Sequence, residues 1–138
     1  MIACWTADNT ANASVGGYTG SLQAGATFAA GHFGQAFSFD GQDAFVNVDG
    51  PASLPVTTAI SISAFVNPGI SPTAPLGTLF AWRDPFVTEG LLLAIGNDGS
   101  VSMQIRTSTM DIYGDGYNTA PGVVTPGQWH QIVASIDT

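Results

Sequence analysis

Gly31 to Val48 reads GHFGQAFSFDGQDAFVNV, and this stretch decides the fold class. Two short runs rich in aromatic and β-branched residues, Phe37 to Phe39 and Phe45 to Val48, flank a polar break at Asp40-Gly41. That is the pattern of strand, turn, strand, and it predicts a hairpin closed at Asp40-Gly41. Just upstream, Gly31 and Gly34 bracket Phe33, which suits a backbone that bends tightly before entering a sheet.

Further strands are legible on either side. Met1 to Trp5 is apolar and reads as a first strand, followed by a long loop of Asp, Asn, Thr, Ser and Gly from Thr6 to Gly20, since short polar side chains bond their own backbone and favour turns. Leu22 to Phe28 reads as a weak strand. In Ile60 to Val66 the residues Ile60, Ile62, Ala64 and Val66 fall on one side and Ser61, Ser63 and Phe65 on the other, the two-residue period of a strand with one core face. Leu79 to Trp82 and Phe86 to Ile95 follow, and Asn97-Asp98-Gly99 separates Leu91 to Ile95 from Val101 to Ile105. These three residue types tolerate the positive φ of tight primed turns, so a hairpin is expected there. Met110 to Tyr113 reads as a short strand, Gly114 to Tyr117 as a glycine-rich loop, and Gln128 to Ile136 as a long strand with Trp129 in the core.

The composition agrees. Hydrophobic residues make up 45% of 138 and charged residues 9%, which excludes intrinsic disorder and allows one domain with a sizeable core. Seventeen glycines and eight prolines spread along the chain leave no room for long helices and favour many short strands. Two basic against ten acidic residues give a net charge of −8, which repels a phosphate backbone and makes nucleic acid a poor partner. No apolar run approaches the roughly 20 residues of a membrane helix. The single cysteine, Cys4, excludes an internal disulfide and reads as a small core residue.

Catalytic patterns are weak. Glycosidases need two carboxyl groups facing the bond to be cut, yet the only glutamate is Glu89 and no two acids alternate within an apolar run. His32 in a glycine-flanked turn and His130 beside Trp129 are placed for structure rather than for a nucleophile's base. For binding, Trp82-Arg83-Asp84 and Tyr113-Gly114-Asp115-Gly116-Tyr117 each bring an aromatic face and polar groups onto an expected loop, the residue types that stack on a sugar ring and bond its hydroxyls. Trp82, Arg83, Asp84, Tyr113, Asp115 and Tyr117 are the candidate ligand residues. Asp8, Asn9 and Asn12 form an oxygen-rich cluster with the chemistry for calcium, although such residues also serve simply as turn formers. Asn12-Ala13-Ser14 matches the N-glycosylation acceptor, a short pattern that recurs by chance.

The order Gly31, Phe33-Gly34, Ala36-Phe37, Phe39-Asp40-Gly41, Phe45-Val46 and Val48 resembles the signature of laminin-G-like jelly-roll domains of the concanavalin A-like superfamily. Further matches are Ala3 and Trp5, Asn12 and Ser14 through Gly16-Gly17 to Gly20 and Leu22, Ile62 to Pro68 (ISAFVNP), and Trp129-His130 with Val133-Ala134 and Asp137. Phe65 stands where the family usually has tryptophan, and Ala13 where an aspartate is common. The resemblance implies an all-β antiparallel jelly-roll β-sandwich over 1–138, lacking the closing strands that follow the Trp-His strand. It also implies a non-enzymatic module of a secreted or cell-surface multidomain protein that binds glycans or extracellular proteins, often with calcium. In related folds an acidic residue of the first loop joins one in the closing strand around the ion, and Asp8 is the member present here. A spacer domain without ligand and a fragment of a jelly-roll glycosidase are the competing expectations.

Overall fold

The structure is a computed structural model that describes residues 1–50, 59–69, 76–83, 90–106 and 116–137. Over these residues it is all-β, with antiparallel pairing throughout and no helix. The expected strand Met110 to Tyr113 and the first part of Phe86 to Ile95 lie outside the described residues. The chain divides into two compact units, Met1–Pro51 and Ala52–Thr138.

The first unit holds β1 (Thr19–Gln23), β2 (Thr27–Ala30), β3 (Gln35–Ser38) and β4 (Phe45–Asp49). Its pairing corrects the hairpin expected at Asp40-Gly41. β3 does not pair with β4; it pairs with β2, from Thr27↔Ser38 to Ala30↔Gln35, and β4 pairs with β1, from Thr19↔Asp49 to Gln23↔Phe45. The tight turn is Gly31 to Gly34, where the Gly31 N–H donates to the Gly34 carbonyl at 3.0 Å and Gly34 sits at φ +56, a conformation that favours glycine. Asp40-Gly41 instead opens a loop between two strands with different partners. The Asp40 carboxylate holds that loop by accepting the Gln42 and Ala44 N–H groups at 2.9 and 3.3 Å, an Asx turn.

Two smaller readings of this unit also change. The weak strand Leu22 to Phe28 is split by a turn in which Ala24 and Gly25 both have positive φ and the Ala26 N–H donates to the Gln23 carbonyl, so it contributes to β1 and β2 separately. Met1 to Trp5 supplies only a single bridge, Cys4↔Val15. Phe28, Phe37 and Phe39 form a run of ring contacts, with centroids 5.7 and 6.2 Å apart, within the range of offset aromatic packing.

The second unit holds β5 (Ala59–Val66), β6 (Leu76–Arg83), β7 (Gly90–Gly96), β8 (Val101–Arg106), β9 (Tyr117–Asn118) and β10 (His130–Asp137). β5 pairs with β10 over their full lengths, and β6, β7, β8 and β9 form a four-stranded meander. The alternation read in Ile60 to Val66 is observed, with Ile60, Ile62, Ala64 and Val66 turned inward and Ser61, Ser63 and Phe65 exposed. The Asn97-Asp98-Gly99 turn joins β7 to β8 as expected, with Gly99 at φ +77. Asp98 accepts both the N–H and the hydroxyl of Ser100, at 2.9 and 2.6 Å.

Both sheets of this unit contribute to one apolar cluster, as a β-sandwich requires. Leu91, Leu93, Ile95, Met103, Val124 and Ile132 are buried in it, with Ile60, Ile62, Val66, Phe80, Ala134 and Ile136 packed around them. β7 reads GLLLAIG, and Leu93 and Ala94, which point to opposite faces, are both 0% exposed. A strand buried on both faces needs such a continuous apolar run rather than an alternating one.

Candidate functional site

The register of the meander places the candidate ligand residues. Trp82 lies opposite Leu91, and directly opposed residues share a face, so Trp82 stands on the core-facing side of β6, half-buried. Tyr117 lies opposite Met103 on the edge strand β9. It occupies the same face, but at the margin of the sheet it remains 67% exposed. Trp82 and Tyr117 are therefore three inter-strand spacings and two residues of register apart, more than about 14 Å, and cannot stack on one sugar ring together. Arg83 ends β6 opposite Gly90; its side chain, together with Asp84, Tyr113 and Asp115, lies outside the described residues.

β9 was not legible in the sequence, where Gly114 to Tyr117 reads as loop. Two residues are too few for a periodic signal, yet they pair with Ser102 and Met103. The Gly116 backbone passes so close to Met103 that a Cβ there would stand 2.6 Å from its carbonyl oxygen. Asn118 Nδ2 donates to the Gly116 carbonyl at 2.9 Å, and the Val101 N–H donates to Thr119 Oγ1 at 2.9 Å. Tyr117 is thus presented on a backbone fixed at both sides.

The loop that follows is anchored to the same hairpin. Gly122 donates to the Asp98 carbonyl and Val124 to the Gly99 carbonyl, at 2.9 and 3.0 Å, while the Val124 side chain is buried in the core. The Thr125 N–H donates to His130 Nε2 at 3.0 Å. His130 serves here as a strap for the loop, the structural role expected for it.

No family model, curated protein or solved structure matches this chain. What the site can do is carried by its own geometry.

The oxygen cluster of the first loop is committed to holding the backbone. Asp8 Oδ1 accepts the Gln35 N–H at 3.2 Å while the Asn9 N–H donates to Gln35 Oε1 at 2.9 Å. Asn12 Oδ1 accepts the Gly20 N–H at 3.1 Å. A calcium ion takes about six to eight oxygens, and two of the three candidate side chains already spend an oxygen on a backbone donor. An ion drawing on Asp8 Oδ1 or Asn12 Oδ1 would compete with these contacts. Among the described residues, no three His, Cys, Asp or Glu side chains gather at one point.

Proposed function

We propose that this chain is a non-catalytic recognition module of a secreted or cell-surface multidomain protein, built as a laminin-G-like jelly roll. It binds carbohydrate or extracellular protein without calcium. The observation that carries this reading is Tyr117, a two-thirds exposed aromatic ring on the edge strand of a sheet, flanked by Asn118 and Thr119. A ring held by rigid backbone offers a stacking surface at little conformational cost. The two antiparallel sheets of the second unit, which share one core, and the family-like sequence pattern support the same reading.

Among the described residues, the carboxylates give a hydrolytic role no support. Asp8, Asp40 and Asp98 have their oxygens in turns and loop contacts. Among the described residues, no two acids share a strand face in the way a glycosidase pair must.

The test is a glycan array and affinity-gel screen with the full chain and with Tyr117→Ala. Loss of the stacking ring weakens the best glycan about tenfold and leaves the melting temperature in place, because Tyr117 contributes little buried area. Trp82→Ala, on the core-facing side, lowers the melting temperature. Absence of any glycan or protein ligand, or a Tyr117→Ala chain that binds as well as the original, overturns the proposal.

A further inference from the structure

We propose that Asn12 is an acceptor of an N-linked glycan. This rests on the extracellular part of the reading above, not on its ligand. Of the chain's asparagines, only Asn12 is followed two residues later by a serine or threonine with no intervening proline. The fold then treats this asparagine differently from Asn47 and Asn118. Asn47 and Asn118 both spend Nδ2 as a donor, to Asp49 Oδ1 and to the Gly116 carbonyl. Asn12 is exposed and its side chain bonds only through Oδ1, which accepts the Gly20 N–H.

That division of labour is the one glycosylation requires. The sugar is attached to Nδ2 and leaves Oδ1 an amide carbonyl, so the bond to Gly20 survives the modification. The backbone around Asn12 is equally settled. Its own N–H donates to Thr10 Oγ1 at 3.1 Å, and the neighbouring Ala11 side chain is buried, which turns the Asn12 side chain outward. Gly20 lies against Ala11 so closely that a Cβ there would overlap the Ala11 carbonyl. Ser14, the third residue of the acceptor, donates its hydroxyl to the Cys4 carbonyl in the folded chain. Transfer therefore precedes folding, as it does for a chain modified during translocation.

The co-reactant is a lipid-diphosphate-linked oligosaccharide. Asn12 Nδ2 attacks the anomeric carbon, the C–N bond forms as the bond from that carbon to the diphosphate oxygen breaks, the lipid diphosphate leaves, and Nδ2 gives up one proton. A glycan there marks the first loop as solvent-facing in the mature protein.

The full chain, fused behind a cleavable signal and translated into eukaryotic microsomes, is read by intact mass before and after peptide N-glycosidase. The expected result is a single glycan, lost on enzymatic release with conversion of the asparagine to aspartate. It is absent in Asn12→Gln and Ser14→Ala and retained in Ser14→Thr, which keeps the hydroxyl. Protease-protected chain of unmodified mass overturns the proposal, as does a glycosylated chain that no longer melts cooperatively. A failed glycan array leaves this result unchanged, so the two readings fail separately.

Discussion

Asp8 Oδ1 accepts the backbone N–H of Gln35 across 27 residues of chain, at 3.2 Å. The contact ties the first loop to the far strand of the β2–β3 hairpin, and it is returned by the bond from the Asn9 N–H to Gln35 Oε1. Gly34 makes room for it, since a Cβ at that position would stand 2.7 Å from Asp8 Oδ1. Gly34→Ala therefore meets two obstacles, the displaced carboxylate and a φ of +56. Left-handed backbone alone costs a non-glycine residue about 1–2 kcal/mol. The variant is expected to lower the urea midpoint by at least that much, whereas Asp8→Ala at the same site loses the tie without the backbone strain. An unchanged midpoint in Gly34→Ala contradicts this geometry.

Two turn carboxylates set an acid limit on stability. The Asp40 carboxyl is held below its ordinary range chiefly by the Gln42 N–H, and Asp98 chiefly by the Ser100 hydroxyl and then the Ser100 N–H. A carboxyl whose folded pKa is depressed stabilises above its unfolded pKa and loses that contribution as pH falls through the folded value. Melting temperature is expected to hold from neutrality to about pH 5 and to fall below about pH 4. In Asp98→Ala the acid-side slope becomes shallower. An equal slope in the variant shows that Asp98 is not a source of the pH dependence.

Apart from β9, the strands of the second unit were legible because each carries its own signal. Ile60 to Val66 alternates without interruption, and Asn97-Asp98-Gly99 both ends one strand and fixes the register of the next. In the first unit the sequence says where the chain bends but not which strand it pairs with. Asp40-Gly41 is a local turn signal of the same kind as the stronger Asn97-Asp98-Gly99, yet β3 and β4 take different partners, because Gly31 to Gly34 closes the tighter hairpin. The same limit applies to the site. Asp8 and Asn12 look alike in sequence whether or not they hold a backbone N–H, and only the distances to Gln35 and Gly20 show that they do. Tyr117 was legible as a residue type; the strand that presents it was not, since two residues have no period.

The core of the second unit makes a simpler prediction. Leu93 is 0% exposed and sits where β7 is covered on both faces. Leu93→Ala removes several buried methyl and methylene groups and leaves a cavity, which costs about 3 kcal/mol or more. Val133→Ala, on the exposed side of β10, is expected to change stability by less than about 0.5 kcal/mol. Equilibrium urea unfolding followed by tryptophan fluorescence separates the two. Similar losses in both variants contradict the assignment of Leu93 to the core and Val133 to solvent.

Calcium gives the sharpest division between the chemistry the family resemblance implies and the metal-free reading proposed above. An ion that binds only the folded chain raises the melting temperature by mass action, by roughly 2.7 kcal/mol of stability at a hundredfold excess over its dissociation constant. With Asp8 Oδ1 held by the Gln35 N–H and Asn12 Oδ1 by the Gly20 N–H, drawing these oxygens onto an ion breaks contacts that fasten the first loop to β1 and β3. Millimolar calcium is therefore expected to leave the melting curve where chelator leaves it, and Asp8→Asn to behave identically with and without the ion. A calcium-dependent rise that Asp8→Asn abolishes places an ion in the first loop and overturns the metal-free reading.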